Sequence, residues 1–315
     1  MTNQWQKGSS NLVGILILIF LFIIILTTPK GELGNYNVGI SNSGQTSTQP
    51  SSSVYGGTVS SYQPTSGTGA LTIGSGNASY AYQSYEEYIT LENFSRKPIN
   101  ITGYQLKNGK DKRPYNTGGS LQRFSADVAL IPQGTLKLLP NGNSLMQDIV
   151  LQDGERAIVT TGSMGNHYPY QIVSFKENSC SGYIDASPDY TFFPPLTQNC
   201  PRPANEPGIQ NLDVACRKIV ETLSSCQTPK FGGKDEKGEN CPECLNGKIL
   251  SSSCSAFIQE HFTYQGCLIN HSSDRDFSGK NWRIFLGRGW EMWAQDYESI
   301  ELFDRSGQLV NFQNY

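Results

Sequence analysis

EEYITLENFSRKPINITGYQL, Glu86 to Leu106, is the stretch whose reading decides the fold. Tyr88-Ile-Thr-Leu-Glu92 alternates apolar and polar residues, and Ile99-Asn-Ile-Thr-Gly-Tyr-Gln-Leu106 alternates again after the polar break from Asn93 to Pro98. A period of two residues places one set of side chains on a core and the other in water, so this stretch predicts two strands joined by a turn.

The same signal recurs downstream. Val128–Ile131, Thr135–Leu139 and Ala157–Thr160 read as strands, punctuated by Gly134, Asn141-Gly142 and Asp153-Gly154. Trp282–Leu286 reads as another, and Ser299–Phe303 with Gln308–Phe312 reads as a hairpin turning at Asp304-Arg-Ser-Gly307. Short strands at this spacing predict a mainly β, sandwich-type domain. Between the two groups the period changes. Asn211–Leu223 sets Leu212, Cys216, Ile219, Val220 and Leu223 on one helical face behind Asp213 as cap, and Ser253–Phe262 does the same with Cys254, Phe257, Ile258 and His261.

Upstream, every residue from Leu12 to Leu26 is Leu, Ile, Val, Phe or Gly, and Thr27 and Thr28 extend the run to Pro29-Lys30. At about 1.5 Å per residue such a helix crosses a hydrocarbon core of about 30 Å. A cleavable signal peptide has a shorter apolar centre and a small-x-small site, which Leu-Thr-Thr-Pro-Lys does not offer. Lys7 and the α-amino group precede the span and Glu32 offsets Lys30, which orients the N-terminus to the cytoplasm and the rest outside. Between Leu33 and Tyr85 no Asp, Glu, Lys or Arg occurs, and Ser, Thr and Gly are abundant. That composition predicts a flexible stalk holding the domain on the order of 40 Å from the membrane; its tyrosines, including Tyr55, Tyr62, Tyr80, Tyr82 and Tyr85, give it a second reading as a sticky surface.

All eight cysteines fall outside the span: Cys180, Cys200, Cys216, Cys226, Cys241, Cys244, Cys254 and Cys267. An even number in an oxidising compartment reads as disulfides, with 105 possible connectivities. Cys241-Pro-Glu-Cys244 with Cys254 and Cys267 is also loosely like a zinc ribbon, although its second pair is not a close knuckle, and Cys-x-x-Cys is compatible with redox chemistry. The net charge of −3 gives no general pull toward nucleic acid, which is not an expected partner. The organisation is therefore a cytoplasmic stub (1–10), a transmembrane helix (11–28), a stalk (29–82), a first β part (83–175), a cysteine-rich insertion (176–280) and closing strands (281–315).

Glu86 to Leu106 resembles the opening of lamin tail domains, where a strand reading "EYIEL-N" precedes a polar turn and a second alternating strand. IPQGTLKLLPNG (Ile131 to Gly142) is similar to that family's Pro-Gly corner, and YESIELFDRSGQLVNFQNY (Tyr297 to Tyr315) to its closing hairpin. Tyr104 stands where the family usually has Trp, and Asn311 where it usually has an acid. The resemblance implies an immunoglobulin-like sandwich interrupted by the cysteine-rich region, and a binding role, since the fold itself carries no catalytic residue.

The histidines are His167, His261 and His271, and no nucleophile elbow, zinc-protease motif or P-loop accompanies them. His271-Ser-Ser-Asp274-Arg-Asp276 reads as a polar loop, with metal binding as its sharper alternative. Lys107, Lys110, Lys112 and Arg113 form a basic loop suited to solvent or to an anion, while Trp282, Phe285, Trp290 and Trp293 suit a core or an exposed binding face. The four Asn-x-Ser/Thr sequons at Asn77, Asn93, Asn100 and Asn270 are close to chance in a chain of this composition. The sequence thus assigns no catalytic residue, metal or cofactor. It predicts a membrane-anchored binding or adhesion module whose partners are the bilayer and a protein or glycan. Two alternatives are an extracytoplasmic hydrolase or nuclease with its site in the insertion, which requires two or more of His261, His271, Asp274 and Asp276 in one cleft, and a self-associating envelope scaffold.

Overall fold

A computed structural model describes residues 70–111, 113–165 and 169–315. The proposed span and most of the stalk lie outside the described residues, as do Lys112 and His167; among the described residues no helix is long and apolar enough to cross a membrane.

The strands are β1 Leu71–Gly74, β2 Tyr88–Asn93, β3 Ile99–Asn100, β4 Gln105–Asn108, β5 Pro114–Thr117, β6 Ser120–Arg123, β7 Val128–Leu130 and β8 Val150–Leu151. They continue as β9 Arg156–Thr160, β10 Phe175–Asn178, β11 Cys244–Leu245, β12 Lys248–Ile249, β13 Ser278–Phe285, β14 Ser299–Phe303 and β15 Leu309–Asn314. The helices are α1 Gly182–Asp185, α2 Val214–Glu221, α3 Ser252–His261 and α4 Tyr264–His271. One sheet runs β1-β2-β9-β13-β10, antiparallel except for β9 beside β13, and a second runs β15-β14-β4-β7, antiparallel throughout.

The alternation in β2 does what its period requires, whereas the Ile99–Leu106 run is not one strand: β3 pairs with β8, the chain turns at Gly103 (φ 79°), and β4 starts at Gln105. Ile89 and Leu91 of β2 and Leu106 of β4 turn inward, and each is fully buried. Across from β2 and its neighbours Val159, Trp282 and Ile284, the second sheet contributes Leu106, Ile300 and Leu302 to the same core. Two sheets therefore close on one apolar layer. Asn311 of β15 ties their edges together: its buried amide donates to the Leu71 carbonyl of β1, a bond that a carboxylate at this position could not make.

The first sheet is buried on both faces at its β13–β10 side. Trp282 and Ile284 point into the two-sheet core, whereas Arg283 and Phe285 point the other way, toward a second core that includes Phe175, Tyr183, Ile258, Phe262 and Leu268. That second core belongs to the segment that leaves β10 after Asn178 and re-enters at Ser278 of β13, its ends held by the Ser179 N–H to Phe277 carbonyl bond of 2.8 Å. Four disulfides close it: Cys180–Cys267, Cys200–Cys226, Cys216–Cys254 and Cys241–Cys244. Two glycines permit its close contacts. A Cβ on Gly182 would sit 2.3 Å from the Cys226 sulfur, and one on Gly266 would sit 2.1 Å from the Glu260 carbonyl oxygen.

Three further expectations are corrected. The stalk does not extend to residue 82, because Leu71 and Ile73 are buried in β1, and the Asn77 side chain donates to the Glu86 carbonyl while accepting from Tyr88 N–H. A four-residue strand in a Ser- and Gly-rich context gains its order from β2, a partner that local composition does not reveal. Thr135–Leu139 is not a strand: Thr135 makes a single bridge to Phe175 as the chain crosses from one sheet to the other, and its hydroxyl then bonds the Lys137 carbonyl in a turn. The cysteine-rich segment holds four helices rather than two, α4 being stapled by Cys267 and capped by the Thr263 hydroxyl.

Two measurements follow. Leu71→Ala removes a fully buried side chain and is expected to cost about 2–5 kcal/mol in urea unfolding, whereas a residue in a stalk would cost nothing measurable. Loop closure in the unfolded chain ranks the disulfides: removing Cys180–Cys267, which spans 87 residues, should cost about 4–5 kcal/mol, and removing Cys241–Cys244, which spans 3, about 2 kcal/mol. Equal losses would refute that ranking.

Candidate functional site

The zinc-ribbon reading depended on four thiols acting together, the redox reading on Cys241 and Cys244 alone. Cys241 and Cys244 instead bond to each other across the approach to the β11–β12 hairpin, while Cys254 pairs with Cys216 and Cys267 with Cys180. Among the described residues no group of three or more His, Cys, Asp and Glu is placed to hold a metal ion.

The residues singled out for hydrolysis form a chain rather than a cleft. Glu206 is buried, and its Oε2 takes hydrogen bonds from His261 Nδ1 at 3.0 Å and His271 Nε2 at 3.1 Å; His271 Nδ1 meets Asp274 Oδ2 at 2.8 Å. His271 ends α4 and is buried, which corrects its assignment to a polar loop. Burial opposes charging of this ring, but the hydrogen bonds and charges of Asp274 and Glu206 outweigh it and raise the His271 pKa above its ordinary 6.5. With a carboxylate at each ring nitrogen, both nitrogens donate, and the bonding pattern is that of an imidazolium. His261 stacks on Phe257, ring centroids 4.0 Å apart, and lines a hollow of about 320 Å³ with Thr263 and Asn270; Asp276 lines a different hollow of about 300 Å³ beside Glu177 and Asn281. Three of the four candidates are joined by hydrogen bonds, and no two of them line the same hollow.

A hollow of about 760 Å³ lies elsewhere in the disulfide-tied segment. Tyr183, Pro188 and Leu245 give it apolar walls, Gln227 and Asn246 contribute amides, and Lys230 is the one charged residue on its surface. Its position is set by two cystines: Cys226 fixes the start of the strip that runs to Lys230, and Cys244 precedes Leu245 and Asn246 in the β11–β12 turn.

The aromatic and basic candidates divide. Trp282 and Trp293 are core residues and Phe285 is half-buried, whereas Trp290 is 61% exposed with the Arg288 guanidinium 5.4 Å from its ring centroid. Lys110 and Arg113 lie 4.0 and 3.9 Å from the buried Glu298 carboxylate, which also accepts from Gly109 and Ser299 N–H. Lys107 rests 4.2 Å above the Phe303 ring. The described cations of the basic loop therefore have partners within the domain. Asn77 and Asn93, two of the sequon residues, are buried and spend their amides on main-chain carbonyls.

Sequence reasoning missed Glu206 and the large hollow. Glu206 is a lone acid in a Pro-rich run and carries no periodic signal. Helix α4 had one: Thr263 as cap, then Tyr264, Cys267, Leu268 and His271 at helical spacing. No family model, curated protein or solved structure matches this chain.

The His271 environment sets a pH dependence. A pKa raised by folding contributes stability that is present below the unfolded value and lost as the pH rises through the folded value. The stability difference between the native chain and His271→Gln should therefore be largest at pH 5–6 and shrink above about pH 7. Urea melts across that range check it; a difference that grows with pH would be contrary to the network described.

Proposed function

We propose that this chain is a membrane-anchored, extracytoplasmic binding module without catalytic activity. Its β framework is an immunoglobulin-like sandwich of the lamin tail type, and its ligand, a protein or glycan, is met by the cysteine-rich insertion. The observation that carries this reading is the makeup of the large hollow: apolar walls, amides and one lysine, held in place by cystines. Such a surface orients and retains a ligand; it presents no paired acid and base for proton transfer.

Further support comes from the parts of the chain that resemble the lamin tail pattern. Its opening stretch becomes β2, β3 and β4, and its closing stretch becomes β14 and β15, which pairs β4 with β14 in one sheet. Four cystines suit an oxidising compartment, and the apolar run at 11–28 supplies the anchor that would place them there. The hydrolase alternative is favoured by the Glu206–His261–His271–Asp274 chain. It asks for a base with a free ring nitrogen facing substrate; His271 has both nitrogens engaged within the fold, which leaves His261, held through Nδ1 by Glu206 beside the hollow of about 320 Å³, as the base it would use.

Fractionation of cells expressing the full chain tests the assignment. The protein should stay in the membrane pellet after carbonate extraction, and a maleimide–polyethylene glycol tag should shift its mass only after reduction. Recovery in the soluble fraction with all eight thiols reactive would sink it.

A further inference from the structure

We propose that the 760 Å³ hollow is a docking trough for an extended, acidic peptide segment of another protein, with Lys230 as the anchor for a carboxylate. This rests on the binding reading above and specifies its occupant.

The first observation is a strip of unpaired main chain along the trough. Among the described residues the N–H groups of Gln227, Thr228 and Lys230 and the carbonyls from Gln227 to Lys230 have no hydrogen-bond partner, and Pro229 has no N–H to offer. Ser224, Ser225, Cys226 and Phe231 likewise make no main-chain hydrogen bond, and pairing resumes at Leu223 N–H on the Val220 carbonyl and at Gly232 N–H on the Cys244 carbonyl. Pro229 restricts its own φ to near −65° and biases Thr228 away from the helical region, so the irregular strip can offer these groups to an extended partner.

The second observation is that the strip is fixed in advance. Cys226 at its start is bonded to Cys200, and beyond its end Gly232 is hydrogen-bonded to Cys244 of the Cys241–Cys244 pair. A ligand strand pairing with it would not have to order it, which removes a main cost of adding a strand to an irregular segment.

The third observation is charge. Lys230 is exposed, is the single charged residue on the trough, and forms no ion pair among the described residues. An unpartnered cation beside apolar walls selects an anionic group on an otherwise uncharged body. A glycan fits less well, because the one aromatic ring here, Tyr183, is 4% exposed and offers no face for a sugar to stack on.

The test uses the full chain in detergent micelles and two pools of fluorescein-labelled decapeptides, one with fixed central Asp and Glu and the other with Lys and Arg, read by fluorescence polarisation. Saturable binding of the acidic pool alone is expected. Lys230→Glu should weaken it by about tenfold or more and Lys230→Arg should retain it. Both substitutions are at an exposed side chain, so unchanged circular dichroism is expected to accompany the loss. No binding of the acidic pool, or equal binding by Lys230→Glu, would overturn the proposal. Binding of chitotetraose that Leu223→Arg in the trough wall abolishes would also overturn it, while leaving the broader binding reading intact; the fractionation result stands apart from all of these outcomes.

Discussion

The buried ion pair between Arg283 and Glu177 is the constraint on which the arrangement of the two cores depends. Arg283 lies on β13 and Glu177 on the adjacent β10, both on the face that turns away from the two-sheet core. A charge taken out of water must have its hydrogen bonds replaced or it costs several kcal/mol. Here most replacements come from the inserted segment: Arg283 donates to the Pro194 and Pro195 carbonyls and Glu177 accepts from Thr197, while Asn281 of β13 gives Glu177 one further bond. The sheet face can be buried only when the segment between Asn178 and Ser278 is folded onto it. This polar joint fixes where that segment sits, while the surrounding apolar contacts supply most of the burial.

The disulfides act at a different level. Cys180–Cys267 closes the whole insertion near its points of departure, and Cys216–Cys254 joins α2 to α3 within it. The region has few long helices and almost no sheet of its own, so its second core is held by covalent closure as much as by packing. Cys200–Cys226 and Cys241–Cys244 hold irregular chain, and it is this chain that borders the large hollow. The rigid frame and the least regular segment of the molecule therefore meet at one place, a common division between scaffold and binding surface.

The histidine network joins separate elements of the inserted segment. Glu206 gathers His261 from the end of α3 and His271 from the end of α4, so one carboxylate joins both helices to the Pro-rich run around it. Stabilising charge at both ring nitrogens of His271 serves the fold and removes that ring from proton transfer with a ligand.

The sequence by itself determined the mainly β class, the strands β2, β7, β9, β13, β14 and β15, the Asp213-capped helix and the cysteine-rich region as a separate element, because period, turn residues and cysteine spacing are local properties. It left β1, the crossing at Thr135–Leu139, the cystine pairing and Glu206 unread. Each of these is defined by a partner distant in the chain: β1 by β2, Thr135 by Phe175, Cys180 by Cys267, and Glu206 by two histidines more than fifty residues away. The hollow beside Lys230 belongs to the same class, since its walls come from three segments separated in the chain. Local order is written in neighbouring residues; long-range pairing is decided by which surfaces can be buried together with their polar groups satisfied, and only the folded chain makes that selection.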